Sequence, residues 1–190
     1  MKLPKLLFNL LLLMCFFSFS QCKKTKTNPI GELPPETQTG ANTFGCLVDG
    51  KAFTPGGSSL SGPNKGAVYQ YLIPGTPNGY TFAVSGTDKR NPENISIVGF
   101  GFDSVRITTG NYVFKTRKNG QGGAGYRKIE ANYPNGNLFN TNETVSGELL
   151  IKKFDTIHQI VSGTFWFNAI NSSNEKVEIR EGRFDMRYTR

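Results

Sequence analysis

The sequence of 190 residues predicts an all-β domain, built as an antiparallel β-sandwich or a closed β-barrel of about ten strands. Short apolar alternations recur along the chain, and no stretch of ten residues from Asn42 onward shows a helical period. Clusters of Gly, Asn, Pro and Asp separate these alternations, as turns do. Parallel strands would need longer, usually helical crossovers, and no segment suits that role. The predicted domain covers residues 42–190 and follows a cleaved signal and a disordered tether.

Residues 1–21 predict a cleaved signal peptide that ends at a cysteine. Lys2 and Lys5 flank the start of an almost wholly apolar run at residues 6–19. The run has the length of a signal-peptide core and is short for a membrane-spanning helix, which needs about 20 apolar residues. No small-x-small cleavage site follows it, and the chain turns polar and basic directly after Cys22.

This arrangement resembles a bacterial lipoprotein signal, in which the thiol of the first mature cysteine carries diacylglycerol. Phe19 and Gln21 depart from the usual pattern, which has Leu and a small residue at these two places. The resemblance implies lipidation of Cys22, with acyl chains such as palmitate as a lipid anchor in the membrane. It also implies a location in the cell envelope, on the periplasmic or the surface face of the outer membrane. A secreted protein cut nearby and an uncleaved anchor are the alternatives.

Residues 22–41 predict a flexible tether between the membrane and the domain. Apolar residues are sparse there, and Pro29, Pro34 and Pro35 favour extended conformations. Three lysines close to Cys22 suit either a contact with anionic lipid head groups or a solvated start of the linker.

The first half of the domain predicts a hairpin followed by four strands. Residues 44–48 alternate and meet Asp49-Gly50, a dipeptide favoured in tight hairpins because both positions need a positive φ. Ala52 and Phe53 begin the return strand. The next predicted strands are residues 67–73, 80–85, 94–102 and 112–114.

The second half of the domain predicts two loops and four strands. Residues 119–125 carry four glycines and predict a flexible loop, and residues 134–143 predict another. The predicted strands are residues 126–133, 144–154, 160–170 and 176–188. The last of them shifts its apolar positions from odd to even numbers at Gly182, which is typical of a β-bulge.

Two segments carry a resemblance to a known family. The first is residues 41–55, and the second is residues 161–188, with Ser-Gly-Thr-Phe-Trp-Phe-Asn-Ala at 162–169 and Glu-Gly-Arg-Phe-Asp-Met-Arg-Tyr at 181–188. Together with the signal they resemble an uncharacterised family of all-β lipoproteins of Gram-negative envelopes, a domain of unknown function. The resemblance implies an envelope β-domain with no established activity. Trp166 departs from the family pattern, in which a small polar residue is more typical.

The composition excludes several classes of active site. The single histidine excludes sites that need two, and three cysteines are too few for a disulfide framework or a four-cysteine metal site. His158 follows Asp155 closely, yet no Gly-x-Ser-x-Gly elbow supplies a nucleophile, so a solvated turn is the alternative to a catalytic pair. Cys46 shares a face with Phe44 and Val48 and is expected to be buried and inert. We expect no cofactor and no metal.

A basic cluster contributes to the net charge of +8 and flanks the glycine-rich segment. Its members are Lys115, Arg117, Lys118, Arg127 and Lys128. An anionic glycan, lipopolysaccharide phosphates or an acidic protein patch would suit this cluster in the envelope. The export signal disfavours nucleic acid, which would be considered inside a cell. The alternative is a solvated hairpin with a mobile tip.

Trp166 is the remaining candidate for ligand binding. It shares a strand face with Thr164 and Asn168, whereas Phe165 and Phe167 share the opposite face. The face of Trp166 is the more polar, so its indole would offer a flat platform on which a sugar ring could stack. A core tryptophan on a strand covered from both sides is the alternative.

These features predict a membrane-tethered, non-catalytic envelope lipoprotein whose β-domain binds or scaffolds a partner, such as a glycan or another envelope protein. A glycan-binding accessory lipoprotein that uses Trp166 and exposed aromatics is the first alternative. An envelope hydrolase with two suitably spaced carboxylates is the second, and the sequence offers no convergent catalytic set for it.

Overall fold

The computed structural model describes residues 28–58, 60, 62–72, 74–75, 78–130 and 133–190, and within them eleven strands form one sheet. The strands are β1 (Thr43–Val48), β2 (Lys51–Phe53), β3 (Lys65–Tyr71), β4 (Tyr80–Asp88), β5 (Asn94–Asp103), β6 (Gly110–Phe114), β7 (Gln121–Glu130), β8 (Tyr133–Asn140), β9 (Gly147–Asp155), β10 (Ile160–Ile170) and β11 (Lys176–Arg187). A short 3-10 helix, Pro29–Glu32, precedes them. No helix in this part of the chain is long and apolar enough to cross a membrane. The predicted all-β class is confirmed.

The sheet curls into a partial ring, called the barrel below. Its strands follow the order β2-β1-β11-β10-β9-β6-β7-β5-β4-β3, and β8 pairs with β7 and β10. Thr189, just beyond β11, donates to the Ala67 carbonyl of β3 and accepts from the amide of Tyr69 at 2.9 Å. Gly56, just beyond β2, forms a similar bridge to the end of β4. These two bridges join the ends of the strand order.

Nearly all strand pairs are antiparallel, as the sequence predicts, with one exception. Phe114 at the end of β6 pairs in parallel with Gly122 at the start of β7. The contact involves one residue on each strand, so it needs no crossover helix of the kind that longer parallel pairs require.

Aromatic side chains fill the interior of the barrel. Phe100 lies among four other rings, and its centroid is 5.0 to 6.4 Å from those of Phe82, Phe114, Phe165 and Phe184. These rings come from β4, β5, β6, β10 and β11, so one cluster ties together distant parts of the sheet. Each such pair adds about 0.5–1.5 kcal/mol beyond the burial of its area. A filled interior leaves the outer faces and the rims as the places where a ligand could lie.

Two local predictions from sequence motifs are confirmed. Asp49 and Gly50 have φ values of 48° and 75° and connect β1 to β2 in a two-residue turn. The pairing of β10 with β11 shifts between Phe165 and Phe167, so that two residues of β11 face one of β10 directly before Gly182. The bulge returns Phe184, Met186 and Tyr188 to the core.

The predicted loop at residues 119–125 is wrong beyond Gly120, because β7 begins at Gln121. Its glycines serve close packing: a Cβ on Gly122 would lie 2.1 Å from the Phe102 ring, and one on Gly125 would lie 2.9 Å from Asn140. The predicted loop at residues 134–143 is also wrong, because residues up to Asn140 form β8.

The predicted tether and the structure differ over residues 28–41, whereas residues 22–27 lie outside the described part. Leu33 is buried, and Pro34 packs so closely on Gly45 that a Cβ there would lie 2.6 Å from the proline ring. Glu36 forms an ion pair with Lys152 of β9. Residues 33–41 therefore lie against the barrel wall and are called the N-terminal strap.

Candidate functional site

Trp166 lies on the outer face of the barrel, on β10. The residue is 37% exposed, whereas Phe165 and Phe167 on either side of it are buried. Its indole Nε1 donates to the Glu148 carboxylate of β9 across 3.4 Å. The structure thus places the tryptophan on the wetter face of the strand and gives it one polar partner.

Arg180 of β11 lies over the Trp166 ring, with its guanidinium carbon 5.5 Å from the ring centroid. Its Nη1 donates to the carbonyl of Phe167 at 3.1 Å, and its Nη2 donates to the Asn168 side chain at 2.7 Å. The bulge in β11 brings this arginine opposite Trp166. A guanidinium held in this way fixes the orientation of the indole through a cation–π contact.

A depression of about 470 Å³ surrounds the tryptophan and is called the Trp166 groove. Its lining includes Asn111, Glu148, Lys152, Trp166, Arg180 and Arg183. Acidic, basic and amide groups alternate around the aromatic surface, so the groove offers both donors and acceptors without a single dominant charge. Such a lining suits a ligand rich in hydroxyl groups.

The predicted basic cluster divides into two parts, and the first lies between β6 and β7. Arg117 binds Asp103 with two hydrogen bonds, from Nε at 2.7 Å and from Nη2 at 2.9 Å. The arginine lowers the pKa of the Asp103 carboxyl mainly through this hydrogen bond. Lys115 and Lys118 both approach Glu143, at 3.5 and 3.8 Å. Acidic partners therefore offset much of the charge in this part.

The second part of the cluster, Arg127 and Lys128, lies farther along β7. Lys128 follows Gly122 by six residues, which corresponds to roughly 20 Å along a strand. Its ammonium lies 2.6 Å from Glu130, which raises the pKa of Lys128 through the hydrogen bond between them. The five basic residues thus do not form one surface, and none of them lines the Trp166 groove.

His158 forms the pair with Asp155 that the sequence suggests, within the turn between β9 and β10. Its Nδ1 lies 2.9 Å from the Asp155 carboxylate, which also accepts from the backbone amides of Ile157 and His158. These hydrogen bonds lower the pKa of Asp155 to about 2, and the bond from the His158 amide makes the largest contribution. The arrangement is that of an aspartate stabilising a turn, with the imidazole largely exposed.

Cys46 is fully buried in β1, as predicted, and burial raises the pKa of its thiol strongly. A thiol of this kind stays protonated and is a poor nucleophile. Among the residues that the structure describes, no three His, Cys, Asp or Glu side chains converge in a way that could hold a metal ion.

Sequence reasoning missed an aromatic opening at one end of the barrel, called the barrel mouth. It is lined by the rings of Tyr69, Tyr71, Tyr80, Phe154 and Tyr188. Alternation along β3 and β4 indicates that the first three share a face, but their meeting also requires the register that pairs Tyr71 with Tyr80. Phe154 and Tyr188 join them only because the sheet closes.

Comparison with known proteins gives one match. A family model described as "Domain of unknown function (DUF6252)" matches residues 80–186, which is more than half of the chain. Neither the curated proteins nor the solved structures include a significant match to this sequence.

Proposed function

The chain belongs to this family of unknown function, and from that premise we propose that it is a membrane-tethered, non-catalytic lipoprotein of the Gram-negative cell envelope. Its barrel binds or scaffolds a partner, and its anchor is the lipidated Cys22. The observation that carries the anchor is the apolar run at residues 6–19, which only Ser20 and Gln21 separate from this cysteine and which a polar, basic segment follows. The outer membrane is the proposed location.

The N-terminal strap shortens the tether in this proposal. Because residues 33–41 pack on the barrel, the distance from Cys22 to the start of the strap spans about eleven residues, which is at most about 40 Å even at full extension. The barrel is therefore held close to the membrane surface.

Metabolic labelling with a fatty acid tests the anchor. We expect label on the wild-type protein and none on Cys22→Ala, which would also leave the membrane fraction. Cys15→Ala is the matched control, because Cys15 lies within the proposed signal, and it should retain the label. Label that survives Cys22→Ala would overturn the proposal.

Glycan binding at the Trp166 groove is the second candidate function, and the half-exposed indole favours it. The ring is fixed by Arg180 and by Glu148 before any ligand arrives, so little ordering would oppose binding. Stacking of a sugar ring on such a platform leaves the surrounding polar groups to bind hydroxyls.

A glycan array followed by polysaccharide pull-down tests this candidate. The chain from Lys23 onward contains every described strand of the barrel and serves as the sample. We expect retention that falls about tenfold in Trp166→Ala. Leu138→Ala is the matched control, because it changes an exposed apolar residue outside the groove. Tyr112→Ala would not serve as a control, because that ring packs on the core. No retention would remove this candidate, and sugar release during incubation would indicate a hydrolase.

A further inference from the structure

We propose that the barrel mouth is a second binding site and that its ligand is an anionic sugar, a ring that carries a carboxylate or a sulfate. The proposal goes beyond the function above, because it requires neither the lipid anchor nor Trp166. It rests on stacked aromatic walls and on two arginines beside them. It also rests on the hydrogen bonds that direct the carboxylates of neighbouring residues away from the mouth.

The outer wall of the mouth consists of three tyrosines. Tyr69 and Tyr80 stack with centroids 4.8 Å apart and planes within 13° of each other, and Tyr71 meets Tyr80 edge-on at 5.3 Å. Tyr71 is 51% exposed and Tyr80 is 36% exposed. Solvent, and hence a ligand, reaches the rings where they project beyond the core.

The inner wall is formed by two further rings. Phe154 and Tyr188 stack at 5.4 Å with an angle of 3° between their planes. Tyr69 lies edge-on to both of them, at 5.1 and 6.0 Å. Ile107, which is buried, contributes an apolar floor. The five rings brace one another, so the site is formed in advance and loses little freedom on binding.

The charged side chains that line the mouth are basic. Arg106 and Arg190 both line it, and no Asp or Glu does so among the described residues. Arg190 donates from Nη2 to the Thr156 carbonyl, which fixes its head group at the rim. Guanidinium groups bind carboxylates and sulfates with two parallel hydrogen bonds, so two of them beside apolar walls select an anion.

The acids closest along the chain are engaged away from the mouth. Asp155, next to Phe154, directs its carboxylate to His158 and to backbone amides of its own turn. Asp103, three residues before Arg106, is bound by Arg117. The two arginines at the mouth therefore do not face either of these carboxylates.

The Tyr69 hydroxyl adds a polar group between the two walls. Burial raises the pKa of Tyr69, and this effect outweighs a hydrogen bond from Ile107 and the nearby charge of Arg106, which both lower it. The hydroxyl therefore stays protonated at neutral pH. The opening has a volume of about 530 Å³, within the range of roughly 300–1,000 Å³ common for small-ligand sites.

Titration calorimetry on the chain from Lys23 onward tests the proposal. The probes are an oligogalacturonate, which carries ring carboxylates, a chondroitin sulfate oligosaccharide, which also carries sulfate, and maltohexaose as a neutral oligosaccharide. We expect binding of at least one anionic probe, weakening with added salt, and none of maltohexaose. The two anionic probes separate carboxylate recognition from sulfate recognition.

Variants locate the site. Arg106→Gln and Arg190→Gln should each weaken binding about tenfold, because a charged hydrogen-bond partner is lost. Tyr80→Ala should weaken it by a similar factor through the loss of stacking. The two arginine variants change exposed side chains, so they keep the test valid if Tyr80→Ala fails to fold. Lys51→Gln and Leu138→Ala, which change exposed side chains outside both the mouth and the Trp166 groove, are the matched controls and should bind normally.

Three results would overturn the proposal: no binding of either anionic probe, equal binding of the neutral one, or binding that the three mouth variants leave unchanged. Leu72 and Ile157 are exposed on loops at the same end, so anionic phospholipid vesicles form a further arm. Sedimentation with vesicles that is lost in the mouth variants, without sugar binding, would assign the mouth to the membrane instead. Failure at the mouth leaves the Trp166 and Cys22 experiments unaffected.

Discussion

Asp185 of β11 is the residue that holds the N-terminal strap on the barrel. It is completely buried, and its carboxylate accepts from the Thr37 hydroxyl at 2.6 Å and from the amides of Thr39, Gly40 and Ala41 at 2.7 to 3.1 Å. A buried carboxylate is tolerated only where hydrogen bonds of this kind replace its water. The strap and the barrel therefore share one polar contact, and its loss would lower the stability of both.

Replacement of this carboxylate should destabilise the whole domain. We expect Asp185→Asn to lower the free energy of unfolding by about 2–4 kcal/mol, because an amide presents an N–H group to donors that have no other partner in the contact. Urea unfolding provides the measurement. Glu178→Gln, at a half-exposed position of the same strand, should change stability by less than about 0.5 kcal/mol. Equal effects of the two substitutions would contradict this account.

The same carboxylate makes stability depend on pH. Burial acts to raise the pKa of Asp185, but the hydrogen bonds from Thr37 and from the backbone of residues 39–41 outweigh it, and the pKa is lowered. A lowered pKa contributes stability that is fully present above the unfolded value of about 3.9 and is lost as the pH falls through the folded value. The stability difference between wild type and Asp185→Asn should therefore be constant from pH 7 to pH 5 and shrink below about pH 4. A difference that stays constant down to pH 2 would refute it.

At the scale of elements, β7 shows how glycines can build a strand instead of a loop. Gly122 and Gly123 are buried, and each stands where another group approaches too closely for a side chain. A Cβ on Gly123 would lie 2.9 Å from the Cβ of Arg117. The glycine-rich sequence looks flexible in isolation, and only the neighbouring Phe102 ring and Arg117 explain it.

A single added methyl group tests this role. We expect Gly122→Ala to destabilise the domain by about 1–3 kcal/mol, because the Phe102 ring must move from a packed core. Gly66→Ala in β3 is the matched control, since its Cβ would meet no atom within 4 Å, and it should leave stability unchanged or slightly higher. Thermal unfolding of both variants provides the measurement. Equal melting temperatures would argue for a flexible segment.

Local chemistry explains which elements the sequence could predict. Asp49-Gly50 defines its turn within two residues, and the phase change at Gly182 is visible along one strand. β8 has neither signal, because it depends on backbone pairing with β7 and on one buried ring, Phe139. The N-terminal strap was missed for a similar reason: its donors meet Asp185 across more than 140 residues of chain.

At the scale of the whole molecule, closure of the ring decides where the candidate sites lie. Trp166 could be found from sequence because alternation along one strand places it on the polar face. The barrel mouth could not, because it needs β3 beside the end of β11, a contact between Val68 and Thr189 that no local pattern encodes. The basic cluster illustrates the converse, since residues close in sequence divide between the β6–β7 connection and β7 itself, and Lys115 and Lys128 are paired with acids.

The backbone bridge between Thr189 and β3 can be tested by amide exchange. Thr189→Pro removes the N–H group that donates to Ala67, and we expect the Tyr69 amide, which donates to the Thr189 carbonyl, to exchange about tenfold faster. Thr189→Ala keeps the N–H group and is the control. Amides in the pairing of β10 with β11 should not change in either variant. Unchanged exchange at Tyr69 in Thr189→Pro would show that the contact between β3 and the end of β11 does not depend on the hydrogen bonds of Thr189.

Ring closure also affects how neighbouring copies behave when they are crowded together. A sheet edge is a template for intermolecular β pairing, and natural proteins shorten or cover such edges. The two ends of this strand order are β2, which has three residues, and β3, whose backbone at Ala67 and Tyr69 is taken by Thr189. A second copy finds little continuous backbone to extend. Dense arrays of this protein on a two-dimensional surface should therefore remain separate molecules and resist growth into fibrils.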